Sequence, residues 1–272
     1  MKSYCTRYCV ALFILLSVFC VRNLKAQKLV VQSPDKKNSV ALYIEDEGGQ
    51  SQLYLKVSRT DSGKTNEIIP QISLGLKRSD HDFFNDLKFL KAGKQKLVSE
   101  NYTAPHGKKA LCTNSANEIV ASFANSAKSK LNIIIRAYND GIAFRYEFPE
   151  KGGNYKILDE LTTYTIPKQT KRWMEKWNPA NEGLYTVMSG DKVQKQEWCY
   201  PALFQANNSS WYLLHEADLN ASYCGTKLSN IADSDRYKLS FPNQGDGRGQ
   251  GSSIPNISLP WKSPWRTLTA HC

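Results

Sequence analysis

Residues 131–148 read Leu-Asn-Ile-Ile-Ile-Arg-Ala-Tyr-Asn-Asp-Gly-Ile-Ala-Phe-Arg-Tyr-Glu-Phe, and their pattern decides the fold class. Leu131, Ile133, Ile135 and Ala137 alternate with other residues along one strand, and Ile142, Phe144, Tyr146 and Phe148 alternate along the next. A period of two belongs to strands, because successive side chains point to opposite faces of a sheet. Asp140-Gly141 between the runs signals a tight turn with φ > 0. A two-residue turn at that place sets Ala137 opposite Phe144, Ile135 opposite Tyr146 and Ile133 opposite Phe148, so both apolar sets share one face. That face is predicted to be core. The same register sets Arg136 opposite Arg145 on the other face, where directly opposed like charges are unfavourable. Another segment is therefore expected to cover or charge-pair that face, with Glu147 one candidate counter-ion.

The alternation recurs along the chain. Val40 to Ile44, Leu53 to Val57, Trp211 to His215 and Tyr237 to Phe241 read as strands. Asp46 to Gln50, Asp61 to Lys64 and Gly152 to Asn154 carry turn residues. No internal repeat and no long amphipathic helix is visible, so the expectation is an all-β domain. Residues 243–253 are rich in Gly, Gln and Ser, and Pro255, Pro260 and Pro264 follow, which predicts a loop and then an extended exit segment anchored by Trp261 and Trp265.

The N-terminus reads as an export signal. Lys2 and Arg7 precede an apolar run from Val10 to Val21, and Leu24-Lys25-Ala26 suits cleavage before Gln27. That run of 12 residues is shorter than the roughly 20 a membrane-crossing helix needs, and no later segment is as apolar. A retained signal-anchor is the alternative; a lipid anchor at Cys20 is disfavoured because Phe19 is bulky for that motif. The expected product is exported, periplasmic or extracellular, with no membrane span. Residues 1–26 would be removed, leaving 246 of the 272. One sandwich fits that length, but a sandwich plus a (β/α)₈ barrel of about 250 residues does not.

The net charge is +11, and four basic residues (Lys2, Arg7, Arg22, Lys25) would leave with the signal. The remaining Lys and Arg are scattered in short runs such as Lys94-Gln95-Lys96 and Lys171-Arg172, not gathered on one face, which argues against nucleic-acid binding. Cys112, Cys199, Cys224 and Cys272 lack metal-ligand spacing, as do the four histidines, and no G-x-S-x-G elbow is present. Cys199 and Cys224 could bridge neighbouring strands or remain buried thiols. Asn101, Asn207, Asn208, Asn220 and Asn256 lie in N-x-S/T sequons.

Trp173, Trp177, Tyr185, Trp198 and Tyr200 gather in sequence around Glu175, Glu182 and Glu197. Sugar rings stack on aromatic faces and glycosidic hydrolysis uses paired carboxylates, although an aromatic core edge reads the same way. His215-Glu216 would suit an aldose epimerase, but adjacent strand residues point apart.

Several stretches, in order, resemble the N-terminal domain of glycoside hydrolase family 97, the α-glucosidases and α-galactosidases of Bacteroidetes. They are Ser33-Pro34-Asp35 with Asn38 and Val40, Ile72-Ser73-Leu74-Gly75-Leu76, Ala137 to Tyr146, Pro201-Ala202, Glu216-Ala217-Asp218-Leu219 and Pro264-Trp265-Arg266. The resemblance implies a large β-sandwich of the galactose mutarotase-like type, called a supersandwich, over residues 27–266. It implies an α-linked oligosaccharide as substrate and a partner, a C-terminal (β/α)₈ barrel, that carries the catalytic carboxylates. No catalytic residue is then expected in this chain. The resemblance also implies calcium in the complete enzyme, with Glu182 of Asn181-Glu182-Gly183 as one ligand. Residues 267–272 are expected to be a truncated tail ending before the barrel. A free-standing carbohydrate-binding module or a mutarotase-like epimerase are the other readings.

Overall fold

The computed structural model describes residues 28–108, 110–206, 210–243 and 254–271, so the expected signal peptide lies outside the described residues. Among the described residues nearly every element is a strand, and the one helical turn is the 3₁₀ segment Gly190–Lys192. The strands form antiparallel sheets of eleven, eight and four strands. The inner faces of the two large sheets share a single core that includes Val40, Leu55 and Ile72 from one and Ile133, Phe144 and Leu214 from the other. The expected all-β sandwich is what forms. The turn residues act as read: Gly48, Gly49, Ser62, Gly63, Gly152 and Gly153 all take positive φ.

The hairpin of Lys130–Tyr138 and Gly141–Phe148 buries the expected face, but its register differs. Tyr138 pairs with Gly141, so Asn139-Asp140 makes the turn, and Ala137 lies opposite Ile142, Ile135 opposite Phe144, and Ile133 opposite Tyr146. The slip is even, so each residue stays on the face predicted for it. None of Asn139, Asp140 and Gly141 has positive φ. The glycine is required for another reason: a Cβ on Gly141 would sit 2.1 Å from the Leu268 carbonyl oxygen of the next strand.

With this register Arg136 faces Ala143 and Arg145 faces Ile134, which separates the two cations. The outer face is charge-paired, as expected, though not by Glu147. Arg136 donates to Glu118 at 2.7 Å and Glu100 at 3.1 Å, and Arg145 to Asp218 at 3.0 Å. Both guanidinium groups lie over Trp265, at 4.7 and 4.1 Å from its ring. Glu147 instead accepts from Asn132 and pairs with Lys262.

Trp261 is buried between Phe148 and Tyr223, stacked on both rings. Beyond it the boundary expected at 266 moves. Thr267 to His271 are no tail: they continue strand Trp265–His271, which lies between Trp211–Ala217 and Gly141–Phe148 in the middle of the large sheet. The alternation Arg266, Leu268, Ala270 is the inward face of that strand, and all three are buried.

Arg266 joins the sheets. Its guanidinium is fully buried and makes two bonds to Glu160, at 2.9 and 2.6 Å, and one to Glu216 at 2.7 Å. Glu160 also accepts from Tyr223 and from Thr162, the latter at 3.0 Å. Glu216 accepts from the Thr226 amide and hydroxyl, both at 2.8 Å. Thr162 and Tyr146 share a hydroxyl bond of 2.7 Å, and Tyr146 Oη accepts from the Gly75 amide. Glu216 and Arg266 sit on the eleven-stranded sheet and Glu160 on the four-stranded one, while Thr162 directly precedes the Thr163–Thr165 strand of the third. Two carboxylates against one guanidinium leave an uneven balance, and burial holds the Glu216 carboxyl above the usual carboxylate range.

Arg266→Met strands two buried carboxylates and should lower stability by about 3–5 kcal/mol in chemical denaturation. Since the folded state binds the Glu216 proton more tightly than the unfolded chain, this residue's contribution to stability falls as pH rises through the carboxylate range. Glu216→Gln removes that fall, which denaturation at a series of pH values measures. Gly141→Ala should cost about 1–3 kcal/mol through the Leu268 clash, whereas Gly93→Ala, exposed and 3.6 Å from its nearest neighbour, should stay within about 0.5 kcal/mol.

Candidate functional site

Strands Lys171–Glu175 and Tyr185–Met188 form one edge of the eleven-stranded sheet, and residues 176–184 loop between them. Glu175 ends the first strand with its carboxylate buried. One oxygen accepts from the Asn178 side chain at 2.6 Å and from the Gly183 amide at 2.5 Å, so one acid closes the loop on itself. Gly183 is required because a Cβ there would meet Glu175 Oε1 at 2.8 Å. Asn181 takes φ +53°, a conformation asparagine tolerates better than most residues. The loop is tied below as well: the Cys199 amide donates to the Glu175 carbonyl, and the Trp177 amide to the Glu197 carbonyl.

The result displays Glu182 outward. It is exposed, and its carboxylate has no partner among the described residues. Beside it Leu184, Val187 and Tyr185 are 91, 59 and 44 % exposed, an apolar edge that follows directly on the acid.

The three acids of the aromatic-rich region therefore separate by role. Glu175 shapes the loop, Glu197 pairs with the buried Lys227 ammonium at 2.7 Å, and Glu182 alone is available. The aromatics do not line one cleft. Trp177 lies 5.4 Å over Lys227, and Trp198 is buried with its indole N–H donated to Asn230 at 2.9 Å. Trp173 packs against Trp211 on the outer face, the rings tilted by 33° with centroids 4.9 Å apart, and Tyr200 is buried with its ring 6.2 Å from His215. The core-edge reading accounts for Trp198 and Tyr200; the structural role of Glu175 carries no sequence signal beyond its place in the cluster.

His215 is exposed and Glu216 buried, on opposite faces of Trp211–Ala217, so they do not converge on one substrate. Cys199 and Cys224 are both thiols, with no disulfide between them, and burial pushes the Cys224 thiol up to about 11. Among the described residues no three His, Cys, Asp or Glu side chains stand close enough to hold a metal ion, and no helix is long and apolar enough to cross a membrane. Calcium takes six to eight oxygen ligands. Among the described residues no cluster of carboxylates gathers around Glu182, which can offer one carboxylate.

Comparison with known proteins agrees with the fold. The chain is 23 % identical over 233 residues to a probable retaining alpha-galactosidase of Streptomyces bingchenggensis, covering 86 % of this chain and 35 % of that protein. It is 24 % identical over 281 residues to a retaining alpha-galactosidase of Bacteroides thetaiotaomicron, covering 93 and 40 %. Among solved structures, a beta-arabinopyranosidase superposes with a TM-score of 0.80 at 26 % identity, covering 90 % of this chain and 40 % of that one. A Glycoside Hydrolase Family 97 enzyme from Pseudoalteromonas sp. strain K8, in complex with acarbose, superposes with a TM-score of 0.73 at 22 % identity, covering 89 and 35 %. The chain thus spans between 35 and 40 % of the length of these relatives. Residues 31–271 match the family described as Glycosyl-hydrolase 97 N-terminal, and the chain belongs to that family.

Proposed function

We propose that this sandwich is the accessory domain of an exported α-glycoside hydrolase, seated against a (β/α)₈ barrel that performs the hydrolysis. The observation that carries the reading is the Glu182 loop: a loop tied by Glu175 to Asn178 and Gly183 presents an unengaged carboxylate next to exposed Leu184, Tyr185 and Val187. An acid beside an apolar edge suits a site shared with a second protein surface, where the apolar residues seat and the acid reaches into a polar centre. In that arrangement Glu182 supplies one oxygen ligand to a calcium ion whose other ligands belong to the barrel.

The names of the relatives support an α-linked glycoside as the substrate class, since two of them are alpha-galactosidases. The interior supports assigning the hydrolysis elsewhere: Glu160 and Glu216 are buried and held by Arg266, and Glu175 and Glu197 are engaged in the fold. No pair of available carboxylates remains on the Glu182 loop to act as acid and base.

Two measurements on the purified chain test this. Hydrolysis of nitrophenyl α-galactoside and α-glucoside should not rise above the buffer blank, and calorimetric titration with calcium should show no site tighter than about 1 mM. Turnover by the chain alone would contradict the proposal.

A further inference from the structure

A concave site lies away from the Glu182 loop, on the outer face of the large sheet at the tip of the 130–148 hairpin. Its cavity of about 260 Å³ is lined by Asn114, Tyr138, Asp140, Ala143, Trp265 and Thr269, among others. The strand order places Trp265–His271 four steps from the edge strand Tyr185–Met188, about 19 Å at about 4.8 Å per step.

The hollow exists because of small residues. Ala143 pairs with Arg136 on one side and Thr267 on the other, and Gly141 pairs with Tyr138 and Thr269. Between the rings of Tyr138 and Trp265 the floor therefore carries at most a methyl group. The walls are fixed in place. Trp265 is held by the guanidinium groups of Arg136 and Arg145, and the Tyr138 hydroxyl accepts from Arg136 at 3.2 Å.

The charges constrain what could enter. Arg136 is neutralised by Glu118 and Glu100, and Arg145 by Asp218, so these cations are already engaged. Asp140 is the one charged residue in the lining, and neither its carboxylate nor the Asn114 side-chain amide has a hydrogen-bond partner among the described residues. A carboxylate, an amide and the Thr269 hydroxyl around two aromatic walls match a ligand with hydroxyl donors on its rim and an apolar face. The single negative charge repels phosphates and acidic sugars. The size lies just below the roughly 300–1,000 Å³ of sites for drug-sized ligands, which suits one ring and not a chain.

We infer that this hollow binds one neutral hexopyranose unit of a glycan, with Asp140 and Asn114 accepting from and donating to its hydroxyls and Tyr138 meeting its apolar face. The site would hold a glycan on the sandwich itself. It stands independently of the Glu182 loop, because none of its lining residues belongs to that loop.

Calorimetric titration of the full chain with methyl α-D-galactopyranoside and methyl α-D-glucopyranoside tests this. One saturable site per chain is expected for at least one of them, with a Kd of about 1 mM or tighter. Asp140→Ala and Asn114→Ala should each weaken binding at least about tenfold, a loss of about 1.4 kcal/mol, while thermal melts show the fold retained. Two variants guard against one of them misfolding. Glu182→Gln should leave binding unchanged. Absence of saturation with both sugars would overturn the inference, as would binding that survives both hollow variants. Binding lost in Glu182→Gln but kept in Asp140→Ala would also overturn it, and would move the sugar to the loop.

Discussion

The Arg266 guanidinium sits with no exposure to solvent, between the carboxylates of Glu160 and Glu216, and the three sheets meet around it. A buried ion pair is costly unless its lone pairs and protons are satisfied, because the desolvation of each charge must be offset by good geometry and further hydrogen bonds. Here the further bonds come from Tyr223, Thr162 and both the amide and hydroxyl of Thr226. Removing any one group leaves another uncompensated. Such a centre specifies which segments must converge: the 154–160 strand, the 211–217 strand, the last strand and the loop that carries Tyr223 have one arrangement that satisfies all of them.

That constraint also fixes where function can lie. Apolar side chains and this ion cluster make up the core between the sheets, which leaves the outer faces and edges as the surfaces open to contact. On the outside the fold displays two kinds of surface. At one edge, an acid used structurally, Glu175, holds a loop so that Glu182 and its apolar neighbours face away from the domain. On the broad face of the same sheet, the two arginines that flank Trp265, together with Lys96, are balanced by Glu118, Glu100 and Asp218, so the cluster around that ring carries no net charge. In both places the side chains that hold the surface differ from those that would contact a partner.

Much of this was legible in the period-two patterns. Ile133, Ile135, Phe144 and Tyr146 announced their face, and the even slip in register left that face untouched. The slip itself was invisible because Asn139-Asp140 and Asp140-Gly141 are both good turn pairs, and the decisive feature is the carbonyl of Leu268, more than 120 residues away in the chain. Separations of 18, 36 and 73 residues hid the counter-ions of Arg136 and Arg145, and one of 106 hid Glu160 as the partner of Arg266. Alternation from Arg266 through Leu268 and Ala270 was present in the sequence, yet proline-rich surroundings made the segment read as an exit. Likewise the aromatic region around Glu175 looked like one site in sequence, but the fold sends Trp173 to the outer face and Trp198 into the core.

Native-state hydrogen exchange tests the central claim, that the buried Arg266 cluster and the core unfold as one unit. The Thr226 amide, bonded to Glu216, and the Gly75 amide, bonded to Tyr146 Oη, should exchange only through global unfolding, at the same free energy as the Ile133 and Ile135 amides in the core. Exchange of Thr226 and Gly75 at a free energy lower by about 2 kcal/mol or more would contradict the account, because the sheets would then separate around the cluster while the core remained folded.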